Sequence, residues 1–91
     1  MAMFVWKIET LRGDEAFVAY DGTEGKLYQV ELVGNVMSVS LLKQVENRIT
    51  LQSVDLTDEQ IIEIANQITP EGIEEYKEIP ERRYTLKLAK D

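Results

Sequence analysis

Neither cysteine nor histidine occurs in the 91 residues. The first absence removes disulfides, thiolate metal sites and a cysteine nucleophile. The second removes the side chain most used for proton transfer near neutral pH and for nitrogen ligation of metals. Catalysis would fall to carboxylates, lysine or tyrosine, so the expectation is a non-catalytic protein with no cofactor and no metal. Apolar runs are short: nothing approaches the length that spans a bilayer. The apolar start, Met1–Ile8, is broken by Lys7 and lacks the layout of a signal peptide. A cytoplasmic protein without a membrane partner is expected. At this length the chain reads as a single domain, 1–91, with one modest core.

Positive charge is also scarce, and unevenly so. Overall the chain carries −7. Between Asp55 and Glu81 stand nine acids and one base, Lys77, a net of −8, which leaves the rest of the chain at +1. A phosphate backbone attracts the opposite sign, so direct nucleic-acid binding is not expected. A basic protein partner fits the charge layout better.

What is present organises around one helix. Thr57 is placed to cap it, and Gln60, three residues on, completes a capping box. Leu56 before the cap and Ile61 after it have the spacing of a hydrophobic staple. Asp58 and Glu59 set negative charge at the positive end of the helix dipole. Ile61, Ile64, Ala65 and Ile68 form one apolar stripe, and Thr69-Pro70 predicts an end near Ile68. The main helix is therefore expected over 57–68.

Before it the pattern has a period of two. The first strand alternates from Ala2 to Thr10, with Phe4, Trp6 and Ile8 expected to face inward. Arg12-Gly13-Asp14-Glu15 reads as a turn, and Ala16–Tyr20 as a second strand. Lys26–Val33, Val36–Val45 and Arg48–Val54 follow, with tight turns expected at Gly34-Asn35 and Glu46-Asn47. Such short connections cannot join parallel neighbours, so these strands predict an antiparallel meander.

After the helix, residues 70–79 read either as a second short helix starting at Pro70 or as an irregular acidic loop, ended by Pro80. Arg82–Lys90 reads as a last strand, expected to pair with the first strand or to lie at a sheet edge. The fold class is thus α+β: an antiparallel meander of about five to six strands, one face covered by the main helix.

Two functional readings follow. In the first, the protein is a small interaction module whose acidic helical surface docks on a basic partner, an inhibitor occupying a nucleic-acid-binding site being one form. Its expected contact residues are Glu63, Glu71, Glu74, Glu75, Tyr76 and Glu78. An unguarded strand edge also admits a homodimer. In the second, a curved sheet encloses a small molecule near Trp6, Tyr20 and Tyr28.

Overall fold

A computed structural model describes residues 3–9, 12 and 15–89. Among these, seven strands form one antiparallel sheet and eleven residues form one α-helix. The strands are β1 (Met3–Ile8), β2 (Glu15–Asp21), β3 (Lys26–Val33), β4 (Val36–Val45) and β5 (Arg48–Gln52), then β6 (Ile73–Ile79) and β7 (Arg83–Leu88) after helix α1 (Asp58–Ile68). The sheet order is β1-β2-β3-β4-β7-β6, with β5 also on β4. β4 is long enough to serve two neighbours on one side: Leu41–Val45 pairs with β5, and Val36–Ser38 pairs with β7.

The helix begins as its sequence dictates. Thr57 is the cap, its hydroxyl accepting from the Gln60 amide at 3.1 Å while the Gln60 side chain accepts from the Thr57 amide at 3.0 Å. Its other end is closed by Thr69, whose amide and hydroxyl both donate to the Ala65 carbonyl. Ile61, Ile64, Ala65 and Ile68 are buried against Phe17, Ala19, Tyr28, Val30, Met37, Val39, Tyr84 and Leu86 of the sheet. Leu56 packs against this same cluster. The expected meander, the tight turns at Gly34-Asn35 and Glu46-Asn47 and the covering helix are therefore present.

Polar side chains tie the layers together at the rim. Asp21 is buried at the end of β2, and its carboxylate accepts from the amides of Thr23 and Glu24. The Gln60 side-chain amide donates to the other Asp21 oxygen at 3.4 Å. One glutamine thus closes the capping box and joins the helix start to the β2–β3 turn. At the other end of the helix, the Asn66 side-chain oxygen accepts from the Ile73 amide at 2.8 Å. Gly72, just before, has φ +82, and a β-carbon there would sit 2.9 Å from that same oxygen.

Four expectations are corrected. The sheet has seven strands, not five or six. Residues 73–79 are neither helix nor loop but strand β6, because the acidic segment finds its partner in the basic strand β7. β7 does not pair with β1; it lies between β4 and β6. Finally, the first strand is reversed. Met3 is buried and Val5 half-buried, while Phe4, Trp6 and Ile8 are exposed on the face away from the helix. Pairing decides this: Met3 and Val5 stand opposite Asp21 and Ala19, which face the helix. Most of the turn expected over 12–15 lies outside the described residues, as do Ala2, Thr10 and Lys90 at the expected strand ends.

Candidate protein-binding surface

The acidic part of the chain builds one end of the sheet and one end of the helix. Among the described residues β6 is the last strand in the sheet order, with only β7 paired to it and its other edge open. Alternation then divides its side chains. Tyr76 and Glu78, opposite Leu86 and Tyr84, face the helix side, whereas Glu75, opposite Lys87, faces away. Glu71 is exposed in the turn that leads into the strand, and Glu74 is exposed near its start, 3.7 Å from the Lys87 ammonium.

The six expected contact residues do not form one patch. Glu71, Glu74, Glu75 and Glu78 fall on β6 and its approach, all exposed. Glu63 stands apart. It is half-buried on the β1 side of the helix, and its carboxylate accepts from the Met3 amide at 3.2 Å. Beside it, the Gln67 side chain donates to the Met3 carbonyl at 2.7 Å. These two residues satisfy the backbone of edge strand β1, which makes Glu63 a structural tether.

Tyr76 is also occupied. Its ring meets Tyr84 edge-on, with centroids 5.8 Å apart and planes at 75°. Its hydroxyl donates to the Asp58 carboxylate in the first turn of the helix. That bond, helped by burial, pushes its pKa up to about 12. Tyr76 therefore braces β6 against the helix start. Tyr84 beneath it is likewise raised, by burial first and then by the nearby Glu78.

No known protein family matches the sequence, no curated protein is detectably similar to it, and no solved structure matches it. The reading of the site rests on its own geometry.

Sequence reasoning missed two features of this region. One is the open edge, because Ile73–Ile79 is rich in glutamate and lacks the apolar-to-polar alternation of a strand. The other is the ion pair between Arg82 and Asp55, 2.9 Å apart, which ties the β6–β7 turn to the segment entering the helix. Both ion pairs, Arg82–Asp55 and Glu74–Lys87, are exposed, so solvent screens them and each contributes little. Among the described residues Glu71, Glu75 and Glu78 enter no ion pair, and no three acids converge to hold a metal ion.

The aromatic residues of the ligand reading do not line a common surface. Trp6 and Tyr20 are exposed on the face away from the helix, while Tyr28 is buried on the covered face. A groove of about 560 Å³ lies elsewhere, where Lys7, Glu15, Leu32, Gln67 and Leu88 meet at the end of the helix.

Proposed function

We propose that the protein is a non-catalytic binding module that takes a basic protein segment along the edge strand β6. The observation that carries this reading is that an open edge coincides with the acidic block. Glu74, Glu75 and Glu78 lie on the strand that ends the sheet, and Glu71 lies on the turn before it. An unpaired strand edge offers backbone donors and acceptors to an extended chain. Glutamates along that edge repel acidic strands, including a second β6, and attract a basic one. A basic surface that otherwise holds nucleic acid meets this description, so an inhibitor of such a site is one concrete form. The small-molecule reading has no comparable support, since its three aromatic residues are divided between two faces.

The test is capture of a partner from the native cell extract, with identification by mass spectrometry, followed by titration of the purified pair. Replacing Glu71, Glu74, Glu75 and Glu78 together with glutamine is expected to abolish binding while far-ultraviolet circular dichroism stays unchanged. Binding should also weaken steeply as salt rises toward about 0.5 M, where exposed charges are screened within a few ångströms. A partner that binds the quadruple variant as well as the wild type rules the reading out.

A further inference from the structure

The sheet face away from the helix carries a second, unrelated surface. Cross-strand register lines up one residue from each of five strands: Phe4 opposite Tyr20, Tyr20 opposite Leu27, Leu27 opposite Leu42, and Leu42 opposite Leu51. The result is an unbroken apolar row that crosses β1 to β5 at right angles to the strands. Trp6 flanks it at one end, and Ile49 at the other. Phe4 is 53% exposed, Trp6 54%, Leu51 54% and Ile49 71%. Single exposed apolar residues are ordinary, but a contiguous patch of this kind marks a contact surface.

Charge is nearly absent from it. Among the described residues that β1–β5 turn to this face, Glu31 alone is charged. This holds in a chain whose residues are 30% charged and whose net charge is −7. A basic or acidic partner would find almost nothing there to pair with. Two copies of this chain repel each other through most of their surfaces, and this face adds almost nothing to that repulsion.

The row is also self-complementary. Its large aromatic rings sit on β1 and β2, its leucines on β4 and β5, and Leu27 at the centre on β3. A two-fold axis running along β3 lays Phe4 and Tyr20 of one copy on Leu51 and Leu42 of the other, with Leu27 against its own counterpart. Two sheets stacked this way pack about 10 Å apart with interdigitating side chains. Five strands about 4.8 Å apart and about six residues long give roughly 24 by 20 Å, about 500 Å² in projection. The flanks of the rings add to that, bringing the face close to the about 800 Å² per partner of a standard stable interface.

We propose that this face is a homodimer interface, with two copies stacked sheet to sheet about an axis through Leu27. The proposal is independent of the partner assigned to β6, which lies at the far end of the sheet order and stays open in each copy.

The test uses the full chain in sedimentation equilibrium, from about 1 to about 100 µM, the range in which a modest interface of this size associates. The emission of Trp6, the single tryptophan, is followed over the same range. The wild type is expected to reach twice its 10.5 kDa mass, with emission moving to shorter wavelength as it associates. Leu27→Lys sets two like charges together at the axis and should weaken association by on the order of a hundredfold, the scale of a central contact residue. Leu27→Glu should do the same, and mixing the two variants should restore a dimer. Ile62→Lys, on the exposed side of the helix, should change nothing. If circular dichroism shows that the Leu27 variants do not fold, Leu51→Lys at the exposed end of the row takes their place. A wild type that stays monomeric overturns the proposal. So does a dimer indifferent to these row substitutions, or a pair of folded, dispersed Leu27 variants that do not re-associate when mixed.

Discussion

The two faces of this sheet are made by alternate residues of the same strands, and both are apolar, yet they are apolar in different ways. The covered face presents Tyr28, Val30, Met37 and Val39 to the helix, all buried, and its rim polar groups are bonded. Across β1–β5 the bare face presents Phe4, Trp6, Leu27, Ile49 and Leu51, all exposed, and among the described residues only Glu31 as a charge. Among the described residues the covered face has a partner within the chain and the bare face has none. A sheet that meets water on one side usually alternates apolar with polar, which lets a sequence declare its inner face. Here that declaration is missing in β1, and the missing alternation is itself the sign of a second surface.

The comparison breaks most sharply under truncation of one residue on each side. Ile64→Ala opens a cavity beneath the helix, where Ile64 is fully buried, and should cost about 3–4 kcal/mol of unfolding free energy. Leu51→Ala on the bare face should cost under about 1 kcal/mol at a concentration low enough to hold the chain monomeric. Urea denaturation of both variants measures the difference. Equal losses would mean that the bare face is already packed within the single chain.

A smaller effect is expected where the chain passes from the helix layer to the sheet. Gly72→Ala demands a left-handed backbone from alanine and drives its β-carbon toward the Asn66 oxygen that holds the Ile73 amide. More than about 1 kcal/mol should be lost, again by urea denaturation.

The smallest effect concerns the brace between helix and edge strand. Tyr76 keeps its proton in the folded protein up to about 12, against about 10 in an unfolded chain. Its bond to Asp58 therefore contributes fully below pH about 10, and the contribution is lost as pH rises through about 12. Thermal melts of the wild type and Tyr76→Phe should differ by a few degrees near neutrality, with the gap narrowing over that alkaline interval. A gap that holds constant to the end of the interval would show that the hydroxyl is not the cause.

The helix was legible to the residue because its signals are local: cap, box, staple and stripe all lie within Leu56–Thr69. The strands from Ala16 to Gln52 were legible because their turns are short and their alternation is regular. The orientation of β1 was not, since Met3, Val5, Phe4, Trp6 and Ile8 are apolar in both phases and only the pairing with β2 chooses between them. β6 was hidden for two reasons. Ile-Glu-Glu-Tyr-Lys-Glu-Ile has weak strand propensity and is held by β7. The turn joining them also lacks its usual letters: Glu81 and Arg82 take positive φ values of 70° and 53°, where glycine or asparagine is the familiar choice. The candidate contact residues were half legible. The acids are plain in the charge count, but only tertiary pairing shows that Glu63 and Tyr76 are engaged within the fold, that Glu74, Glu75 and Glu78 stand on the edge strand and that Glu71 lies on the turn before it.

The shared flank of β4 has a consequence for the order in which the molecule is assembled. β1 to β5 are joined by short links and can form as the chain emerges, whereas Val36–Ser38 must wait for Arg83–Thr85. Until residues 83–85 have been synthesised, that stretch of β4 is a raw margin inside what will become the middle of the sheet, able to accept a strand from any neighbouring chain. The β6–β7 hairpin closes it last. The acidic turn and strand that face outward in the finished protein are then also the segment whose arrival ends its vulnerability to misassembly.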